Sequence, residues 1–409
     1  MTLASPNDRR NREAPVKIVE MRGYQVGFTP AVALGNARTF IRRRDFLLLQ
    51  VITDSGVSGW GEVFSSPHAA GALIQARLAP LILNESPLHY RRLWDRMMAT
   101  LGYDRRGVAM MAISAIDMAL HDAAAKAQGI SVASLLGGGV REHVFAYASG
   151  PFIRQSSSPY AKYSDAVDAY LKKGFRAVKP RAGVDPKADA RMINALREQI
   201  GPDIALMVDM NQGYSARGAI ASARRMEDAD LLWIEEPVGP EDIGGYQAVA
   251  AAVPMAVAGG EALGSLAAFR DFLAARTFSV LQPDLTVCGG YTGFTKVAAL
   301  AEAYDLPVMP HVFGTIVNQR AALQMAALLP AYKGGGPAPY PYVEIDGTEN
   351  PLLTVAGELT VGRGGMIAIP DEPGTGLNLD AERLKPWITG IWRCVAEDSG
   401  ETIKMWRKR

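Results

Sequence analysis

Between Val16 and Val63 the chain alternates apolar and polar positions with the period of two that half-buried strands require. Three segments carry the alternation, Val16 to Val26, Phe46 to Thr53 and Gly59 to Val63. They predict a three-stranded antiparallel sheet, with Asp54-Ser55-Gly56 as the hairpin turn between the last two. The pattern then takes a helical period over 68–83, 87–98 and 106–127, the last rich in Ala and Met, and LLGGG at 135–139 closes the block. Residues 16–140 therefore read as an α+β domain.

From Val144 onward, short apolar strands alternate with helices of ten or more residues. The strands are 144–149, 176–180, 204–210, 231–235, 255–259, 279–283, 307–310 and 341–345, and the helices lie near 163–173, 187–200, 215–228, 241–252, 265–275, 291–304 and 317–329. Strands this apolar, each followed by a helix, imply a parallel sheet covered on both faces. Eight of them fit a closed β/α barrel over residues 141–348, and no G-x-G-x-x-G follows a strand to favour a dinucleotide-binding open sheet. The segment 349–409 is rich in Gly and Pro, has a short helix near 380–387, and is expected to pack back onto the first domain. Residues 1–15 are polar, lack the apolar stretch of a secretory signal, and read as a flexible tail.

Composition narrows the class. Lys plus Arg (43) and Asp plus Glu (42) nearly cancel in 409 residues, which argues against a nucleic-acid partner. No run approaches the roughly 18 uninterrupted apolar residues of a membrane span. Two cysteines, Cys288 and Cys394, make no disulfide framework. The expectation is a cytoplasmic enzyme that forms a homo-oligomer, with no membrane partner.

The chemistry sits where the strands end. Barrel enzymes place their reactive side chains at the C-terminal strand ends. Those positions here hold Lys179 and Arg181, Asp209 and Asn211, Glu235 and Glu236, Glu261, Asp284, His311 and Glu344. Asp209, Glu235 and Glu261 recur once per β/α unit, and three carboxylates at one mouth repel unless a cation neutralises them. All-oxygen hard donors select Mg²⁺, with Mn²⁺ possible, over zinc. Asn211 shares a strand face with Asp209 and can support the ligand or the substrate, whereas Glu236 is expected to face away as a structural partner. Asp284 beside His311 would fix the imidazole tautomer and raise its basicity, as a general base needs. Lys179 and Arg181 share a face and would hold an anion opposite the metal, and Glu344 would exchange a proton at the substrate's far oxygen. His121, inside a helix of the first domain, reads as structural, and CGGYTG (288–293) as the tight turn opening the sixth barrel helix. Together the groups point to metal-assisted removal of a proton α to a carboxylate.

These residues resemble the enolase superfamily, specifically its mandelate racemase-like subgroup. The resemblance runs over roughly 16–390 through GWGE (59–62), AISAIDMALHDAAAKAQG…LLGG (112–138), VDMN (208–211), WIEEP (233–237), GGE (259–261), LQPD (281–284) and PHVFG (310–314). It implies a modified TIM barrel, (β/α)7β, under an α+β capping domain formed by the N-terminal block and the C-terminal tail. It also implies Mg²⁺ on Asp209, Glu235 and Glu261, an Asp284–His311 dyad, and Glu344 as the carboxylate late in the barrel.

The chain departs from the subgroup at one place. Its lysine pair appears as Lys179-Pro180-Arg181, and an arginine is a poor proton acceptor. The resemblance then favours one-base chemistry, first the dehydration of a sugar acid to a 2-keto-3-deoxy acid. The alternatives are cycloisomerisation of a sugar lactone or anhydro-sugar acid, since LQPDLTVCGGYTGF and PHVFGT look like cycloisomerase segments, racemisation or epimerisation, and a non-catalytic metal-binding barrel. Loop 28–44 and segment 64–68 are candidate lids, with His68, Tyr103 and Arg106 as candidate substrate contacts.

Overall fold

The computed structural model describes residues 16–396 and the strand Trp406–Arg407. The stretch read as a tail, 1–15, lies outside the described residues. The capping sheet is antiparallel, with Ile18–Phe28 against Arg44–Thr53 and Arg44–Thr53 against Ser58–Val63. A further strand, Ile388–Val395, adds to the free edge of Ile18–Phe28 in the register Met21↔Cys394 and Tyr24↔Ile391. The three strands expected from the alternation are thus joined by a fourth from the far end of the chain, which carries Trp406–Arg407 at its outer edge. Trp392 of that strand fills the notch left by Gly23, where a Cβ would fall 2.1 Å from the indole.

The helix Gly107–Ala127 lies across this sheet and is long and apolar enough to span a membrane by length and composition. Its most apolar window is 89% buried inside the fold, so its apolarity builds the cap core. The contact with the sheet is backbone on backbone. A Cβ on Gly59 or Gly61 would sit 2.1 Å or 1.9 Å from the carbonyls of Ala119 and Ala115. Strand alternation then sends Trp60 and Glu62 to the opposite face, toward the barrel.

The barrel strands run parallel in the order Val280–Leu281, Ala256–Gly259, Leu231–Glu235, Ala205–Asp209, Ala177–Lys179, His143–Ser149 and Tyr342–Asp346. Residues 307–310 join the row through the Leu281↔Val308 bridge, supported by Leu281 N→Pro307 O at 2.9 Å and Met309 N→Leu281 O at 3.0 Å. Helices follow the first seven strands, and Tyr342–Asp346 completes a modified TIM barrel, (β/α)7β, under an α+β cap. Met366–Ala368, from the Gly- and Pro-rich segment, pairs antiparallel with His143–Ser149. Inside the barrel, Phe145, Tyr147, Met207, Trp233, Met309 and Tyr342 form an aromatic-rich plug.

Cap and barrel are joined by buried hydrogen bonds. Asp117 accepts from Thr292 N (2.9 Å) and Oγ1 (2.7 Å), and Trp94 donates to Gly289 O (2.9 Å). Gly289 and Gly290 take left-handed φ values of 103° and 70° and open the helix Gly290–Glu302 beside Asp117. His121 is buried between Tyr90 and Tyr291, with Nδ1 2.8 Å from Asp117 O.

Candidate active site

Asp209 and Glu235 are the last residues of their strands, and Glu261 lies two past the end of its own. One oxygen from each falls within 4.8 Å of the others. The surroundings orient each carboxylate. Asn211, held at a left-handed φ of 40°, donates from N (2.7 Å) and Nδ2 (2.9 Å) to the two oxygens of Asp209. Trp233 Nε1 (2.9 Å) and Gln282 Nε2 (2.7 Å) both donate to Glu235 Oε2. Neither donor stands out in the sequence. The signal for Gln282 is its place two residues before Asp284 on the next strand but one.

The residues fit a hard divalent cation. The donors are all carboxylate oxygens, Asp209 and Glu235 are buried, and buried Glu261 Oε2 has only the 3.3 Å approach of His311 Nε2 and no hydrogen bond. Burial raises the Glu261 carboxyl, His311 pulls it back, and Glu235 raises it again, leaving it above the ordinary range. Desolvation leads this shift and the neighbouring Glu235 charge adds to it, and a bound cation would relieve both. Glu236 departs from the strand-alternation expectation. Its φ of 41° ends the alternation, Gln212 Nε2 holds both its oxygens at 3.0 Å, and burial followed by the charge of Glu261 pushes its carboxyl well upward. It therefore stands within the field of the cluster.

His311 follows the seventh strand. Its Nδ1 lies 2.7 Å from Asp284 Oδ2, while Nε2 is 3.3 Å from Glu261 Oε2 and 3.9 Å from Glu344 Oε2. Asp284 is itself fixed by Thr286 N (2.7 Å) and Thr286 Oγ1 (2.6 Å). Burial lowers the imidazole pKa, but Glu261, Glu344 and Asp284 more than offset it and push it up to about 10.

Across the mouth, the cations are already paired. Lys179 Nζ contacts Glu235, Glu344 (3.0 Å) and the Tyr147 hydroxyl (3.4 Å). Arg181 pairs with Asp209, donates to Ser149 Oγ at 3.0 Å, and sits 4.9 Å from the Phe152 ring centre. Glu344 would be raised by burial, but Lys179, His311 and Arg181 hold it well below the usual carboxylate range.

The cap contributes unevenly. Loop 28–44 folds into a small hairpin, Leu34–Gly35 with Phe40–Ile41, and closes on the barrel through Ile153 N→Gly35 O at 2.8 Å. Ala37 rests on the loops carrying Gly183 and Gly213. Of the three candidate substrate contacts from the cap, Arg106 lies on the loop that follows Glu261, its Cα 3.3 Å from where a Cβ on Gly264 would stand. His68 is exposed on the helix Pro67–Leu73, Tyr103 is fully exposed, and Arg106 makes an exposed ion pair with Glu241 at 3.4 Å.

An α+β cap over a barrel whose mouth joins a carboxylate triad to a His–Asp dyad defines a class of proteins, and the comparisons agree. Residues 162–383 match the "Enolase C-terminal domain-like" family and residues 24–137 the "Mandelate racemase / muconate lactonizing enzyme, N-terminal domain" family. The chain is 37% identical to D-galactarolactone cycloisomerase of Agrobacterium fabrum over 90% of its own length and 98% of that protein's. It is 34% identical to 3,6-anhydro-alpha-L-galactonate cycloisomerase of Streptomyces coelicolor over 83% and 91% of the two chains. Its fold overlays L-talarate dehydratase from Polaromonas sp. JS666, complexed with Mg and L-glucarate, with a TM-score of 0.79 at 28% identity, covering 93% and 100% of the two chains. The chain belongs to the mandelate racemase/muconate lactonizing enzyme group of the enolase superfamily.

Proposed function

We propose that the protein is a Mg²⁺-dependent enzyme that removes the proton α to the carboxylate of a sugar acid and expels the β-oxygen, which is held in a lactone or anhydro ring. The observation that carries the reading is the asymmetry about the triad, with one imidazole aimed into it from one side and an arginine salt-bridged to Asp209 on the other. Asp209, Glu235 and Glu261 would hold the ion, which supplies the positive charge that makes the enolate of a carboxylate accessible.

The chain's own residues do the rest. With a cation on the triad offsetting the Glu261 charge that holds His311 protonated, Nε2 would take the α-proton while Asp284 keeps the other ring nitrogen protonated. Lys179 hydrogen-bonds the substrate carboxylate as its charge grows. Arg181 adds positive charge but, always protonated, offers no lone pair to the opposite face of the α-carbon. Glu344 remains an anion that orients Lys179 and accepts from Val312 N at 3.2 Å. The C–H electron pair forms the enolate, then the β-carbon–oxygen bond breaks. The oxygen leaves as a carboxylate from a lactone or, from an anhydro ring, takes the proton that His311 holds. The resulting enol gains a solvent proton at C3 to become a 2-keto-3-deoxy acid.

Similarity to two cycloisomerases supports a ring oxygen as the leaving group. Loss of a free hydroxyl, dehydration, is the second reading, supported by the likeness to L-talarate dehydratase complexed with Mg and L-glucarate. A cytoplasmic, homo-oligomeric enzyme is part of the same proposal. The test is incubation with Mg²⁺ and a panel of sugar lactones, anhydro-sugar acids and open-chain aldonates and aldarates, assayed for 2-keto acid. Keto acid from a ring substrate supports the reading, keto acid from open-chain acids alone transfers it to dehydration, and epimers without keto acid overturn it.

A further inference from the structure

The loop that carries His311 is held at every peptide from 311 to 315. His311 N donates to Pro283 O (3.1 Å), Val312 N to Glu344 Oε2 (3.2 Å), and Gly314 O accepts from Asn350 Nδ2 (2.9 Å). The other two holds come from the cap. Arg44 Nη2 donates to Phe313 O at 2.9 Å, with its guanidinium 4.0 Å from the Phe313 ring centre and its Nη1 on Asp346. Glu62, wholly buried, accepts from Thr315 N (3.0 Å and 3.1 Å to its two oxygens), Thr315 Oγ1 (2.6 Å) and Asn318 N (3.0 Å).

Glu62 therefore caps the barrel helix Ile316–Leu328 from another domain, where a carboxylate meets the free N–H groups and the positive end of the helix dipole. Gly314 makes room for it, since a Cβ there would lie 2.3 Å from Glu62 Oε1. The connection continues inward, because Asn318 Nδ2 lies 3.4 Å from Asp284 Oδ1, the carboxylate that orients His311. The glycines of Gly59-Trp60-Gly61-Glu62 let the strand lie flat on the cap helix, and that register aims Glu62 outward at the barrel.

We propose that Glu62 and Arg44 are positioning residues for His311, so that docking of the cap sets the imidazole against the triad. The proposal rests on the reading of His311 as the proton acceptor. A base displaced by a fraction of an ångström loses rate while substrate binding is largely kept.

The test uses the full-length Mg²⁺-loaded enzyme and the variants Glu62→Gln and Arg44→Gln, with Leu47→Ala in the cap core as a control for lost stability and His311→Asn as the base-less reference. The expected result is a kcat lowered about tenfold or more with KM within about threefold of wild type. Mg²⁺ affinity by calorimetry should hold, and the downfield Nδ1 proton signal of His311 should be broadened or lost. The double variant should be no worse than the poorer single, because both residues hold one loop. A kcat loss no greater than that of Leu47→Ala at matched melting temperature, with the His311 signal unchanged, overturns the proposal. Should Glu62→Gln yield no folded protein, Asn318→Ala carries the same test from the barrel side. Wild-type turnover by His311→Asn overturns the functional reading as well, whereas an inactive His311→Asn beside a fully active Glu62→Gln overturns this proposal alone.

Discussion

The two walls of the site are built on opposite principles. On one, His311 keeps one nitrogen on Asp284 and turns the other toward Glu261 of the triad at 3.3 Å. On the other, Lys179 and Arg181 are each paired with triad carboxylates, Glu235 and Asp209. On the proposed reading the first wall moves the proton, while Arg181 in the second, always protonated, only presents charge. A carboxylate substrate between them would be deprotonated from one face, which suits elimination and does not suit racemisation.

The sharpest way to break this contrast is to remove the working wall. His311→Asn should lower kcat by about 10³-fold or more while Mg²⁺ affinity stays within about threefold, measured by steady-state kinetics and calorimetry. Retained turnover would mean that the proton leaves from the other side.

The next effect concerns what supports that wall. Burial raises the Glu62 carboxyl to about 7, offset in part by its hydrogen bonds to Thr315 and Asn318. The folded state thus binds a proton that the unfolded chain releases near its ordinary value, 4.5. The resulting stability is fully present below that value and is lost as pH rises through about 7. Its size is on the order of 3 kcal/mol. Denaturant unfolding at pH 5 and pH 8 should show wild type losing stability relative to Glu62→Gln by an amount of this order. Parallel curves would remove Glu62 as the titrating group.

The triad comes third. Mg²⁺ at about one hundred times its dissociation constant should stabilise the fold by about 2.7 kcal/mol, and Glu261→Gln should remove most of that shift in a thermal melt. Smallest in rate, but most telling for the second wall, is Arg181→Lys. Elimination should fall about tenfold as the planar contacts to Asp209 and Ser149 loosen, and epimer formation should appear where wild type shows none.

Much of this site is legible in the sequence because it is written at strand ends. Asp209, Glu235 and Glu261 each terminate or just follow an apolar strand, so barrel geometry alone predicts that they converge. Asp284 and His311 follow from the same rule. The long-range supports are not legible. Glu62 and Arg44 look like ordinary polar positions of half-buried strands, and only the folded chain shows them meeting Thr315 and Phe313. Ile388–Val395 is similarly obscure, since the strand buries little beyond Trp392 and Cys394 and its partner Ile18–Phe28 lies at the other end of the chain. Glu236 misleads because a left-handed residue resets the strand alternation on which facing is judged.

The central claim, that one wall moves the proton and the other does not, is tested most directly by partial turnover in D₂O followed by NMR of the recovered substrate. The account predicts substrate of unchanged configuration, with any α-deuterium introduced with retention and none at all in His311→Asn. Recovered α-epimer carrying deuterium, from wild type with Arg181 in place, would contradict it.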